Sequence, residues 1–427
     1  MKGQELPEMK TAIPGPRSQE LVDVLADTEC PAITARRQRR ADLLGKQHDD
    51  PIVWEEAVGA NVTDVDGNRY IDMTSGFGVA LVGHRHPKIV AAARKQTERL
   101  IHAMGDAWPD QTRIQFLQRL SAFAPNGLDV SILGLSGSDA VDAAIKTAHL
   151  HTGRSGILCF EGGYHGLSLG TVALQGYKAS FTEPFRSIIH PNVKHAPWGD
   201  SLTPVEALLQ SNDIGLVLVE PIQGRGGMRP APAGWLADLA RITRKHGAVF
   251  ALDEIQTGVG RTGVSFAATV EGITPDLLCV GKALGGGFPV SACMGTREVM
   301  ESWEHSKGEA IHTQTFLGHP VGCAAGIAVL DLMSSGLLEQ VEKAATELRT
   351  RLEQKGFPVR GRGLMMGVKT KNNPFQTSRE LLARGFISLP AGRSGEVLSL
   401  TPPACLTTDQ MDCFVSHLCE LTPPGAS

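Results

Sequence analysis

The segment Val280-Gly281-Lys282-Ala283-Leu284-Gly285-Gly286-Gly287-Phe288-Pro289 projects one amine, Lys282, from the end of an apolar run into a glycine-rich turn. A lysine in that setting has the chemistry of a Schiff-base residue, an amine able to condense with a carbonyl. A second apolar stretch, Ala248 to Glu254, carries the acid Asp253 at its end, 29 residues before the lysine. If the two stretches are neighbouring parallel strands, the pair can hold both ends of one pyridoxal phosphate ring, the imine at Lys282 and the pyridine nitrogen at Asp253.

Three further segments offer complementary groups. Ser136-Gly137-Ser138-Asp139 opens an amphipathic stretch that closes at Gly153. Free backbone N–H groups and the positive end of a helix dipole make such a start a phosphate cradle, with Gly137 allowing close approach. The same residues also read as an ordinary helix start with Ser136 or Ser138 as N-cap. In Phe160-Glu161-Gly162-Gly163-Tyr164-His165-Gly166 an aromatic pair follows a strand through two glycines, which places a flat ring at the strand end, where α/β ligands sit. Tyr164 would cover one face of a cofactor ring, and His165 reads equally as a hydrogen-bonding support or a structural histidine. After Asp253, the glycines Gly258, Gly260 and Gly263 spell a formal GxGxxG. The residues that follow do not begin a helix, and the acid expected about 20 residues on is missing, which argues against an NAD-dependent dehydrogenase. Gln256, in the same run, has the reach to bond a cofactor's phenolic oxygen.

These groups need a scaffold, and the middle of the chain supplies its pattern. Short apolar runs at Ile157 to Phe160, Leu216 to Val219, Ala248 to Leu252, Leu277 to Val280 and Val290 to Met294 alternate with amphipathic stretches such as Gly234 to His246. Continuous apolar strands between helices imply an α/β domain, a mainly parallel sheet covered on both faces. We expect an N-terminal arm and part of a small domain over 1–75, a large domain over 76–325, and the rest of an α+β small domain over 326–427. A hairpin is expected from Ala57 to Met73, turning at Asp66-Gly67, and a helical stretch from Val321 to about Lys355.

Composition narrows the function classes. A net charge of −4 and a pI near 6.4 offer no extended basic surface for nucleic acid. No uninterrupted apolar run approaches the roughly 18 residues that cross a bilayer, so no membrane partner is expected. The eight cysteines form neither a CxxC pair nor a compact disulfide framework; with a start that lacks an apolar centre, this points to a reducing, cytoplasmic setting. The cluster Arg36, Arg37, Arg39 and Arg40 is flanked by Glu29 and Asp42 and reads as a solvated or subunit-contacting helix face. His84 and His86 stand beside Pro87 without a third metal ligand at regular spacing, so they read as a turn before a helix.

The strings LDEIQTGVGRTG and VGKALGGGFP, with their spacing, resemble the class-III pyridoxal-phosphate aminotransferases, the fold-type-I group that includes 4-aminobutyrate and ornithine aminotransferases. The similarity runs from about residue 50 to residue 410. It implies a seven-stranded, mainly parallel sheet plus a smaller domain, pyridoxal 5'-phosphate as cofactor, and a homodimer with shared active sites. Lys282 would form the imine, Asp253 would pair with the pyridinium nitrogen, Gly137 and Ser138 would hold the phosphate, Tyr164 would stack, and Gln256 would contact the ring hydroxyl. Thr315 matches a threonine that reaches the phosphate of the neighbouring subunit. The reaction implied is transfer of an amino group from an ω-amino acid or other primary amine to an α-keto acid, pyruvate or 2-oxoglutarate.

Two departures stand out. Many members of the group carry an acid at the variable position of EPIQGxGG, paired with an arginine in a C-terminal strand. Here those positions hold Arg225 and Ser399. Arg225, or Arg393 in the loop before Ser399, could bind a substrate carboxylate from another wall; the alternative for Arg225 is a solvated rim residue. The same departure leaves a racemase, aminomutase or decarboxylase on this fold as the other reading. Phe77 and Val79 match a loop that lines the substrate pocket. Glu220, at the end of Leu216 to Val219, faces the same strand edge and would orient a neighbouring polar group or form a structural ion pair.

Overall fold

The computed structural model describes residues 3–34, 51–211 and 213–424. The arginine cluster Arg36, Arg37, Arg39 and Arg40 lies outside these residues. After helix α1 (Pro16–Thr28), strands β1 (Trp54–Val58), β2 (Asn61–Asp64) and β3 (Arg69–Asp72) form an antiparallel meander. The expected turn at Asp66-Gly67 is present, closed by Asp64 Oδ1, which accepts from the N–H groups of Asp66 and Asn68 at 3.0 and 2.8 Å. The hairpin gains a third strand because Gly59, at φ 59°, takes a left-handed conformation open to glycine and turns the chain once more.

The central part lays down helices α2 (Pro87–Arg99) and α3 (Gln111–Phe123), strand β4 (Val130–Gly134), helix α4 (Gly137–Thr152) and strands β5 (Gly156–Phe160), β6 (Val193–Ala196) and β7 (Ile214–Val219). A two-residue ribbon, β8 (Ile222–Gln223) with β9 (Arg229–Pro230), precedes helix α5 (Trp235–Lys245) and strands β10 (Val249–Asp253), β11 (Leu277–Val280) and β12 (Ser291–Gly295). Seven of these strands make one sheet in the order β4-β12-β11-β10-β7-β5-β6. Only β12 runs against its neighbours.

Strands β5, β7, β10 and β11 are buried along their whole length, as covered parallel strands must be. Alternate residues sort to the two faces. Cys159, Leu218, Ala251, Cys279 and Cys293 pack with Ala140, Val141 and Ala144 of α4, while Leu158, Val217, Phe250, Leu278 and Val280 enter the core on the other side. All eight cysteines are free thiols, and the three in strands behave as small core hydrophobes.

Helix α6 (Pro320–Leu332) leads through a π turn at Met333–Leu337 into α7 (Leu338–Gln354). The expected helical stretch is present and is broken once, where Ser335 and Gly336, the latter at φ 99°, leave helical geometry. By composition, Pro320–Gln354 contains a window of mean hydropathy 1.8, interrupted by polar residues such as Asp331, and 56% of that window is buried inside the protein, as befits a core helix. The chain ends with β13 (Val359–Arg362), β14 (Met365–Val368), helix α8 (Pro374–Ala383), β15 (Phe386–Ile387), β16 (Leu389–Ala391), β17 (Val397–Leu400) and helix α9 (Thr408–Leu421). Strand β15 adds in parallel to β3, so residues from both flanks share one four-stranded sheet, and β13-β14-β17-β16 form another.

Candidate active site

Asp253 and Lys282 come together at the carboxyl ends of two interior strands of the central sheet. Strands β10 and β11 are parallel with Asp253 opposite Cys279, and Lys282 follows three residues later at the start of a short 3-10 turn with φ 44°. A lysine in the left-handed region is strained. Ser75, Phe77, Met228 and Val259 share that region, with φ of 40°, 63°, 55° and 51°. The Asp253 carboxylate is fixed on both oxygens: Oδ2 lies 2.8 Å from His165 Nδ1, and Oδ1 accepts from Ile255 N–H at 3.0 Å. His165 is fully buried. Burial alone would lower its pKa, but the hydrogen bond and charge of Asp253, helped by Glu220, raise it above the ordinary histidine value. For Lys282 burial wins. The amine is lowered from the usual lysine value despite Asp253 and Glu220, and the cations Arg225 and Arg261 lower it further.

The start of α4 shows which serine does what. Ser136 is the N-cap and forms a capping box with Asp139, whose Oδ2 accepts from the N–H groups of Leu135 and Ser136 at 2.9 and 3.0 Å. The N–H groups of Gly137 and Ser138 keep no acceptor among the described residues and remain available to an anion. A β-carbon at Gly137 would come within 2.8 Å of Ile255 Cδ1, and one at Gly166, where φ is 98°, would strike Ser138 Oγ. The strand-end loops therefore close on this helix start through glycine.

Tyr164 is positioned through its backbone. Its N–H donates to Glu220 Oε1 at 2.9 Å, and Glu220 Oε2 accepts from Gly224 N–H at 3.0 Å. Glu220 is thus a buried brace between the loop carrying Tyr164 and the turn carrying Arg225; burial raises its pKa to about 7, against the pull of His165. The Gln256 amide lies against the backbone of Gly224, where any β-carbon would collide with it.

The Arg225 guanidinium lies over three rings, 4.7 Å from the centre of Tyr164, 5.4 Å from Tyr177 and 5.9 Å from Phe181. Arg393 uses Nε and Nη2 on the carbonyls of Tyr177 and Gly176, at 3.1 and 3.0 Å, which makes it a clip on the aromatic loop. Phe77 is 67% exposed, and the neighbouring Gly78 packs against the side chain of Lys282. Val79 follows, half-buried. Thr315 is exposed. His84 pairs with Asp72 at 2.8 Å, and His86 stands at the start of α2.

Sequence reasoning overlooked Tyr177, Phe181 and Arg261. Scarcity was a usable signal for Tyr177, one of three tyrosines. Arg261, inside the GxGxxG string, is fully buried. It donates to the carbonyls of Pro402 and Gly78 and to Ser75 Oγ at 2.6, 3.2 and 2.9 Å, bolting the Phe77 loop to the C-terminal segment. Burial lowers its pKa to about 9, against the field of Asp72.

Residues 44–421 match the family described as aminotransferase class-III. The chain belongs to that family. It is 36% identical over 388 residues to the acetylornithine aminotransferase of Methanopyrus kandleri, covering 89% of this chain and 97% of that one. It is likewise 36% identical to a LysW-aminoadipate semialdehyde transaminase of Deinococcus radiodurans, with 87% and 85% covered. Among solved structures, a transaminase from Virgibacillus superposes with a TM-score of 0.86 at 21% identity, covering 94% and 98%, and the ornithine aminotransferase of Toxoplasma gondii with 0.81 at 24%, covering 94% of each. These likenesses place the protein in the fold of the pyridoxal-phosphate transaminases.

This class-III aminotransferase uses pyridoxal phosphate, and its residues fit that cofactor. The unpartnered N–H groups of Gly137 and Ser138, in a cradle that β-carbons would fill, suit a phosphate. A carboxylate held on both oxygens, at Asp253, suits a protonated ring nitrogen. Lys282, with its lowered pKa, suits the carbonyl carbon.

Proposed function

We propose that this aminotransferase moves an amino group from an ω-amino acid or related primary amine to an α-keto acid, pyruvate or 2-oxoglutarate. The observation that carries the reading is the juxtaposition of a clamped Asp253, at the end of β10, with Lys282, in the turn that follows the adjacent parallel strand β11. Pyridoxal phosphate supplies an electron sink for a carbon that loses a proton. Asp253, steadied by His165, holds a proton on the ring nitrogen through a charge-assisted bond, roughly twice as strong as a neutral one. Lys282, favoured as the neutral amine by its surroundings, would take the proton from the substrate carbon and deliver it across the intervening nitrogen to the carbon of the cofactor's aldehyde. Gly137 and Ser138 would anchor the phosphate, Tyr164 would cover the ring, and Gln256 would reach the ring oxygen.

The proposal extends to a cytoplasmic homodimer in which Thr315 serves the partner's site. A patch of exposed apolar side chains supports it: Ile101, Met104, Trp108, Ile311 and Phe316 lie on two segments joined by the ring contact of His102 with Phe316 and by Thr313 bonded to Asp106. Exposed apolar surface of this kind is characteristic of subunit contacts.

The test is a half-reaction panel on the holoenzyme. Candidate amines, with acetylornithine first because relatives are named for it, are added singly while the visible band of the lysine-bound cofactor is followed. Donors should bleach the band, and pyruvate or 2-oxoglutarate should restore it. If no amine bleaches it without an added keto acid while a substrate is nonetheless isomerised with its nitrogen retained, amino transfer is the wrong reaction.

A further inference from the structure

Arg225 replaces an acid, and its surroundings define what it can bind. Its guanidinium is backed by Tyr164, Tyr177 and Phe181, rings that also hold one another: Tyr164 meets Phe181 edge-on, and Tyr177 stacks on it, both at 6.3 Å. Ring faces attract the flat face of a guanidinium and leave its N–H edge free. The backbone is held as well. The Arg225 carbonyl accepts from Gly392 N–H at 2.8 Å, the Tyr177 hydroxyl donates to the Gly392 carbonyl at 3.0 Å, and Arg393 clips the other side of the aromatic loop. Among the described residues no carboxylate pairs with this guanidinium and no acceptor takes its side-chain N–H groups. The guanidinium lies on Tyr164, whose loop leaves the end of β5, and Glu220 at the end of β7 braces that loop to the turn carrying Arg225, so the cation borders the strand ends that hold Asp253. Ser399, on β17, carries no charge to compete with it.

We propose that Arg225, exposed and seated on three aromatic rings, is the receptor for the carboxylate of the amine donor. The proposal rests on the aminotransferase reading and narrows its substrates to carboxylate-bearing amines. With no acid at position 225 and no arginine on β17, selection comes from a positive group on the wall built by the aromatic loop and the Gly392 turn. A guanidinium presents paired N–H donors that match a carboxylate.

Two measurements on native enzyme, Arg225→Ala and Arg225→Lys test this. In single-turnover experiments, 4-aminobutyrate and 5-aminopentanoate are compared with butylamine and pentylamine, and the ratio of their kcat/KM values is taken. Calorimetry measures binding of glutarate, which can neither donate nor accept an amino group. We expect Arg225→Ala to lower the carboxylate-to-amine ratio and to weaken glutarate about tenfold or more, with Arg225→Lys between native and Ala. A ratio and a glutarate affinity both within threefold of native overturn the proposal, as does a loss that follows Arg360→Ala, the cation bonded to Gly227, and not Arg225→Ala. Borohydride labelling of Lys282 separates the two levels. A native enzyme without label defeats the aminotransferase reading, while glutarate binding still decides for or against Arg225.

Discussion

At the scale of single residues, the chemistry is concentrated in a buried acid that is told which way to face. His165 holds Asp253 at 2.8 Å, and the partnership raises the imidazole above its ordinary pKa of 6.5. A histidine whose folded pKa is raised stabilises the protein fully below its unfolded value, and that contribution is lost as pH rises through the folded value. We therefore expect native protein to exceed His165→Asn in stability by about 1.5–3 kcal/mol at pH 5, with the gap shrinking as the pH is raised past 6.5. Urea unfolding of the two cofactor-free proteins from pH 5 to 9 measures it, and a gap that stays constant or widens would exclude a charged His165–Asp253 pair. Asp253→Asn should lower kcat at least tenfold, since the ring nitrogen loses an ionic partner worth on the order of 1.5–3 kcal/mol.

At the scale of elements, helix α4 and the loops around it show how turns make a site. Two serines stand two positions apart and do different work. Ser136 caps the helix, whereas the N–H of Ser138 is left over. Ser136→Ala should cost about 1 kcal/mol of stability, as cap losses do, and leave cofactor affinity within about twofold. The Ser138 hydroxyl, which makes no hydrogen bond among the described residues, stands beside its own N–H as a further donor; Ser138→Ala removes it and should instead weaken cofactor binding about tenfold with little change in unfolding. Gly166→Ala combines a forbidden φ of 98° with a collision against Ser138, so it should weaken cofactor binding more than Ser138→Ala; an equal or smaller effect, by spectral titration, would show that the loop yields. The helix start was legible beforehand because caps, small residues and apolar spacing are local. Which serine caps was not, since either satisfies the same pattern.

At the scale of the molecule, the sheet brings strand ends together and the flanks close over them. Arg261 ties the Phe77 loop to Pro402, and the Gly392 turn is bonded to Tyr177 of the aromatic loop, so the walls around the strand ends are built from segments more than a hundred residues apart. Loss of the Arg261 guanidinium in Arg261→Ala would leave the Pro402 and Gly78 carbonyls unmet in a dry interior, a change expected to cost about 3 kcal/mol or more. Assembly makes a separate prediction. If Thr315 serves the partner, mixing Lys282→Ala subunits with Thr315→Glu subunits should recover about a quarter of native activity, because half the dimers are mixed and one site in each is intact. Recovery of none, with mixed dimers verified by mass spectrometry, would place Thr315 outside the shared site.

The sequence by itself determined the strand ends, the lysine, the acid and the helix start, because each is a local pattern: an apolar run of strand length, a glycine turn, a cap. It also determined the family, through two strings whose spacing reflects adjacent parallel strands. Tertiary structure alone decided that Glu220 braces two loops, that Arg393 clips a carbonyl pair, and that Arg225 lies on Tyr164, Tyr177 and Phe181. Those roles depend on contacts between segments separated by tens to hundreds of residues, and a side chain's charge or reach says nothing about its partner until the fold has brought the two within a few ångströms.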